Sequence, residues 1–427
     1  MKKKINKKRK ILWRRVLIIP ALILFLVFAF MTLKYKEDQN FLQAINEKIV
    51  EMQEQLEEYL NAHQNDALID QVILEANAMG EGYAYEEALA LLVQNPKIQN
   101  DARIKERVAY FQNTIDSLVD YDSPVRHLFF HNLIIDPSIA FGEDSHNAAG
   151  YNSWNITVYE FKRIIDEMYD RGYVVVDFYD VYEYKEGKYI RKPLKLPEGK
   201  IPFIFSIDDM SYPDPKPEDG FARGLTLQDG EILTRVLTAD GETLTNDGDI
   251  IPILETFIHE HPDFSYKNAR GILALSGHAG TLGFRLTNND EIEAATQVVT
   301  ALKEKGWIFA NHSYSHADGV YYSTSSVAEK IEEDFTKWTT KIGSIAGETE
   351  LFVAPFGYKL TGDSLQVVKD HGYRAYFIVD RRGDVTVMNG MTFFARVDID
   401  GVSMTKDAAY LSEHFFDVQR VLDPARP

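Results

Sequence analysis

The sequence predicts an α/β protein whose main body is a (β/α) barrel, preceded by an all-α helical spacer and one transmembrane helix. Three observations carry that prediction. An uncharged apolar run, VLIIPALILFLVFAFMTL, follows a strongly basic start. Helical periodicity without strand signals fills residues 37–119. From about residue 121, short apolar strand-like runs alternate with amphipathic helices, the pattern of a parallel sheet with crossover helices.

Residues 1–15, MKKKINKKRKILWRR, carry nine bases and no acid. The apolar run after them begins at Val16, and as a helix it would reach roughly 27 Å, close to the thickness of a hydrocarbon core. The basic arm stays cytoplasmic by the positive-inside rule, and everything after the span faces outward. A cleaved signal peptide would need a shorter apolar stretch and a small-x-small site, for which AFMTLKY is a poor match. The reading is therefore an arm over 1–15, an uncleaved anchor over 16–34, and a single-pass protein of the cell membrane.

The helical part, residues 37–120, opens with Leu42, Ile45, Ile49, Met52, Leu56 and Tyr59, an apolar stripe in steps of three and four. EGYAYEEALALLVQNP then resembles half of a tetratricopeptide-type helical hairpin, and ARIKERVAYFQNTIDSLVDY supplies a further helix. A stalk that holds the next domain off the membrane is the simpler reading; a protein-docking module is the other.

The barrel occupies residues 121–427. Its strand candidates include HLFFHNLII, YVVVDF, IPFIFSI, GILALSG, WIFAN, LFVAP, YRAYFIV and TFFARVDI, separated by helices such as TVYEFKRIIDEMYDRG and NDEIEAATQVVTALKEKG. Seven or eight such units suit a (β/α) barrel. Residues 210–265 break the alternation and read as an insertion, with a hairpin in LTRVLTADGETLTNDGDIIP turning at Asp240-Gly241.

Composition excludes several functions. There is no cysteine, hence no disulfide, thiolate metal site or cysteine nucleophile. Residues 1–36 hold eleven Lys and Arg and no acid, leaving 35 bases against 65 acids in the rest. So acidic a body repels a phosphate backbone, which argues against a nucleic-acid partner. No GxSxG elbow and no glycine-rich nucleotide loop is present.

Catalytic groups of a β/α barrel lie at the C-terminal ends of its strands. IPFIFSI ends in Asp208-Asp209, two carboxylates emerging from a buried run and pointing in different directions. One can bind a metal while the other stays free. WIFAN is followed by His312-Ser-Tyr-Ser-His316, which places two imidazoles on one face of a helical turn. Two His and one Asp make a set that leaves coordination positions open for water and substrate. LFVA ends in Pro355-Phe356-Gly357, and FFA ends in Arg396 and Asp398.

These residues resemble the polysaccharide deacetylase (NodB-homology, carbohydrate esterase) family, membrane-anchored Gram-positive type, over residues from about 124 to 400. HLFFHNLI is similar to its opening strand, FSIDDMSY to its first motif TFDDG, NHSYSHAD to H[ST]xxH, and FVAPFG in part to RxP[YF]G. The resemblance implies a distorted (β/α) barrel and metal-dependent release of acetate from an acetylated polysaccharide. It implies Asp208 as catalytic base, and Asp209, His312 and His316 as ligands of a divalent ion, Zn by default and Co, Ni or Mn otherwise. The backbone N–H of Phe356, behind Pro355, would hold the oxyanion with the metal.

Some positions depart from the family pattern. Val353 stands where many relatives have the Arg that orients the catalytic aspartate, and Arg396 could supply that cation from another strand end. Met210 replaces the first motif's Gly. The last motif, LxH with the general acid, has no clear match; His414 in YLSEHFF is the only histidine after His371 and is the candidate. His278, in LALSGHAGTLGFR, follows a strand among glycines and is a candidate substrate contact, against a structural role. His131 reads as a buried, hydrogen-bonded core residue near the site.

The expectation is an N-deacetylase of peptidoglycan or poly-N-acetylglucosamine, facing outward from the membrane. An O-acetyl esterase acting on a xylan-like glycan and a silent glycan-binding scaffold on the same fold are the alternatives.

Overall fold

The computed structural model describes residues 22–28, 30, 39–321 and 327–427. They divide into two units, Met1–Gln71 and Val72–Pro427. In the first unit residues 22–28 are helical and expose Leu22, Leu24, Phe25, Leu26 and Phe28. Among the described residues no helix is long and apolar enough to cross a membrane. Most of the run expected to span, 16–34, lies outside them. Helix α1, Gln39–Glu81, begins in this unit. Ile45 and Ile49 of its apolar stripe are half-buried, while Met52, Leu56 and Tyr59 are exposed.

The second unit starts inside α1, at Val72, and continues with α2 (Tyr85–Val93) and α3 (Ala102–Asp116). Asp101 caps α3 by accepting from the Arg103 backbone N–H. These helices are fixed to the barrel. Tyr83 donates its hydroxyl to the Asp263 carbonyl, the Lys267 N–H donates to the Gly82 carbonyl, and the Lys267 ammonium bonds Glu87.

Seven parallel strands close the barrel in chain order: β1 Arg126–Phe130, β2 Ile201–Asp209, β3 Ile272–Leu275, β4 Ile308–Asn311, β5 Leu351–Val353, β6 Ala375–Val379 and β7 Met391–Asp398. β7 pairs back onto β1, Val397 opposite Leu128 and Asp398 opposite Phe129. β2 is the longest strand, and all its residues are buried except the first and last. That unbroken run is what a strand covered on both faces requires.

The eighth expected strand, Tyr173–Val175, does not enter the ring. It pairs with Ile201–Phe203 of β2, while β3 pairs with Ser206–Asp209 further along the same edge. One edge of β2 thus serves two strands end to end, and this is the distortion of the barrel.

Crossover helices cover the outside. Among them are α4 (Val158–Asp170), with a Thr157–Glu160 capping box, α5 (Asn289–Glu304), capped by Asn288, and α6 (Val327–Trp338). The insertion is an antiparallel three-strand meander, Ala222–Gln228, Glu231–Thr238 and Gly241–Thr245, followed by helix Ile250–Glu260. Thr238 pairs with Gly241, so the hairpin loop is Ala239-Asp240, one residue earlier than expected.

Candidate active site

Asp208 and Asp209 end β2 with different surroundings. Asp208 is buried and held by Arg396 through two bonds, Nη1 to Oδ1 at 2.7 Å and Nη2 to Oδ2 at 2.8 Å. Arg396 is fully buried in β7, with its guanidinium carbon 4.0 Å from the Phe129 ring centroid. Its Nη1 also reaches the Ser206 hydroxyl at 3.3 Å. Burial works against the Asp208 charge, but the Arg396 guanidinium overcomes it and holds the carboxyl below the usual carboxylate value. Arg396 thus takes the place that Val353 leaves empty.

Asp209 turns the other way, with a backbone φ of 75°. Its Oδ1 lies 3.7 Å from His312 Nε2 and 3.5 Å from His316 Nε2. That oxygen is buried and has no hydrogen-bond partner among the described residues. His312 Nδ1 is 2.9 Å from the Val353 carbonyl. A carbonyl only accepts, so Nδ1 carries the proton and Nε2 offers its lone pair toward Asp209. One ligand atom from each of Asp209, His312 and His316 lies within 4.8 Å of the others. An orphaned carboxylate oxygen, a pre-set imidazole tautomer and this clustering fit a divalent cation.

The two histidines do not sit on a helical turn. Residues 312–316 form a bend, with φ of 66° at Ser313 and 45° at His316. Asp334, buried on α6, shapes it by accepting from the Tyr314 and Ser315 N–H groups, both at 2.8 Å, and from the Tyr321 hydroxyl. Ser313 Oγ accepts the His316 N–H. The imidazoles still converge, their ring centroids 4.9 Å apart, because side-chain acceptors hold the loop instead of helical hydrogen bonds. Asp334 was detectable in the sequence as an acid between Ile331 and Phe335 on an apolar helix face.

Other expected residues divide into near and far. Pro355 is buried and opens the turn Pro355–Gly357, whose Phe356 has a φ of 58° and packs its ring 4.5 Å from that of His316. At Gly357, φ +66°, a Cβ would sit 2.6 Å from Val379, so only glycine fits. His278 is exposed with its ring 6.3 Å from His316, beside the cavity wall but not part of it.

His414 does not come to the site. It ends helix Ala408–His414, is largely exposed, and its carbonyl accepts from Tyr173. Tyr173 lies level with Ile201 at the start of β2, about seven residues or roughly 20 Å below Asp208. It therefore lies at the opposite end of the barrel.

Besides His312 and His316, the histidine that lines the site cavity is His131. It is half-buried just past β1, not a core residue, and lines the same 480 Å3 cavity as Asp208, Asp209, His312, His316 and Arg396. Asp398 and Asp400 line it too. Asp398 bonds Arg381 through one oxygen, and its other oxygen is buried with no partner among the described residues. Burial, then the neighbouring Asp398 charge, push the Asp400 carboxyl up. Lys216, from the start of the insertion, also reaches this cavity, with its ammonium 5.1 Å from the Phe221 centroid. A larger groove of 1220 Å3 lies between α1–α2 and the insertion, away from these groups.

Residues 266–376 match the family model for polysaccharide deacetylase. The match covers 111 of the 427 residues. It spans β3 to the start of β6 and contains His312, His316 and Asp334. Solved structures similar to the chain include the Streptococcus pyogenes deacetylase PplD in complex with acetate, 12% identical, TM-score 0.39, covering 71% of this chain and 99% of that one. A de-N-acetylase from Aggregatibacter actinomycetemcomitans is 13% identical, TM-score 0.39, covering 70% and 100%. IcaB from Ammonifex degensii is 14% identical, TM-score 0.37, covering 67% and 96%. No curated protein matches the chain.

Proposed function

We propose that this chain is a metal-dependent N-deacetylase acting on an acetylated hexosamine polymer at the cell surface, either peptidoglycan or poly-N-acetylglucosamine, and releasing acetate. The observation that carries the proposal is the division of labour at the end of β2. Asp208 is clamped by Arg396, while Asp209 turns to His312 and His316 in the same cavity. Zinc is the default ion for two imidazoles and a carboxylate, with Co, Ni or Mn as substitutes. When bound, the ion supplies Lewis-acid polarisation of the acetyl carbonyl and a lowered pKa for water.

The chain's own groups do the rest. Asp208 stays ionised under Arg396 and accepts the proton of the attacking water. The Phe356 N–H, presented by the turn after β5, is the oxyanion donor. His131 donates a proton to the leaving nitrogen from the cavity wall it shares with Asp398 and Asp400. An amine must be protonated to leave, so a positioned acid supports N-deacetylation over ester cleavage. With Arg396 and His131 in these places, neither Val353 nor the missing LxH motif is a reason for a silent scaffold.

The test combines metal analysis of the purified chain with acetate release from acetylated polymers. Asp209→Ala, His312→Ala and His316→Ala each abolish both metal content and release. Undiminished release from all three variants would sink the assignment. We further propose that residues 16–34 anchor the chain, with the catalytic body outside. Partition into the aqueous fraction after a salt wash of membranes would refute that.

A further inference from the structure

Most of the catalytic cavity is built from strand ends, but one wall is a short helix, Ala148–Trp154, that follows β1. Separate parts of the chain hold it. Asn147 caps it by accepting from the Gly150 N–H. Tyr151 donates its hydroxyl to Asp219 at 2.7 Å and packs on Phe221, both in the insertion. Asn155 donates to the Asn132 carbonyl at 2.8 Å, just past β1. Arg426, near the end of the chain, donates to the Asn152 and Asn155 carbonyls. Gly401 approaches so closely that a Cβ there would stand 1.8 Å from the Asn152 carbonyl oxygen.

What this tethering presents is an uncovered indole. Trp154 is 57% exposed and lines the cavity, and its indole makes no hydrogen bond or ring contact with a described residue. Trp307 and Trp338, by contrast, are 2% exposed. More than half of this large apolar residue stands in water at the edge of a reaction cavity, where its exposed face adds nothing to the fold. Strand order separates its wall from that of Phe356. Between β1 and β5 lie three strands one way and two the other, so the two aromatic residues flank the reacting groups from opposite sides of the mouth.

We propose that Trp154 is the platform of a second sugar subsite, on which a pyranose ring next to the reacting residue stacks its C–H face. The preferred substrate is then an oligomer or polymer of hexopyranoses, not an isolated acetylated sugar. This rests on the deacetylase reading above, which places the reacting residue between the two walls. The occupant follows from continuity with the reaction cavity. A ring with an apolar face and a polar rim matches an indole bordered by Asn147 and Asn155.

The metal-loaded full chain, with Trp154→Ala and Trp154→Phe, is compared on an N-acetylhexosamine tetramer and on the monosaccharide. Trp154→Ala lowers kcat/KM on the tetramer about tenfold, mainly through KM, and leaves the monosaccharide unchanged. Trp154→Phe recovers most of the loss. Equal losses on both substrates, or no loss on either, overturn the subsite. Binding is read separately from turnover: the tetramer quenches the exposed indole of the unmodified chain and not the emission of Trp154→Phe. Quenching without acetate release from any glycan would keep the subsite and refute the deacetylase reading. Release without quenching would keep that reading and refute the subsite. Quenching by lipid vesicles and not by the tetramer would assign the indole to a membrane surface and also refute it.

Discussion

Replacing Arg396 by Met removes the cation that holds Asp208 while keeping an unbranched side chain in β7. Arg396 is fully buried, so the perturbation leaves Asp208 as an uncompensated carboxylate 2% exposed. Losing one partner of such a pair costs about 3–5 kcal/mol. The contact with the Phe129 face is lost with it. Asp208→Asn makes the reciprocal fault, a buried guanidinium with a neutral partner. In the double variant both charges are gone, and the penalty for an unpaired buried charge disappears with them. The cost of the double variant should therefore fall below the sum of the singles by about 2 kcal/mol or more. Denaturant unfolding of the three variants measures this, and acetate release measures the functional side. Arg396→Lys keeps the charge but cannot grip both oxygens, so stability recovers further than turnover. Strict additivity of the two single costs would refute the coupling, and full turnover in Arg396→Met would remove Arg396 from the site.

Three other outcomes are expected. Asp334→Ala frees the backbone of residues 312–316 and should lower metal affinity about 10- to 100-fold, measured by competition with a chelator, while the barrel stays folded. His131→Ala should cut acetate release from an N-acetylated polymer by on the order of 10²-fold or more, whereas His414→Ala leaves it unchanged; the reverse pattern would restore His414 as the acid. His127, buried against Ser206 and facing Arg396 and Asp208, has its pKa pushed well below 6.5, first by burial and then by Arg396, with Asp208 opposing. Below about pH 6.5 the unfolded chain then binds one proton more than the folded one, so this residue removes up to about 1.4 kcal/mol of stability per pH unit on acidification. His127→Asn should flatten the pH dependence of the denaturant midpoint between pH 6.5 and 5, and identical slopes would show that His127 is already protonated in the fold.

The parts of the site that the sequence disclosed are those where burial constrains composition. IPFIFSI has to lead to a mouth or to buried partners, because two adjacent carboxylates cannot stay charged in an apolar interior alone. Arg396 was conspicuous for a similar reason: a guanidinium inside FFARVD needs a buried anion. The HxxxH spacing pointed to two imidazoles that do converge, but Asp334 and not a helical turn brings them together. Trp154 and Lys216 left no trace, because walls made from loops and short helices have no periodicity to read. His414, late in the chain, stays away from the cavity that His131, early in the chain, lines. Barrel closure sets Asp398 of β7 opposite Phe129 of β1, so the two ends of the domain meet at one point of the rim. A histidine two residues past Phe129 and an aspartate more than 250 residues later are therefore neighbours in one cavity. In a closed ring, a motif missing from the last strand is to be looked for beyond the first.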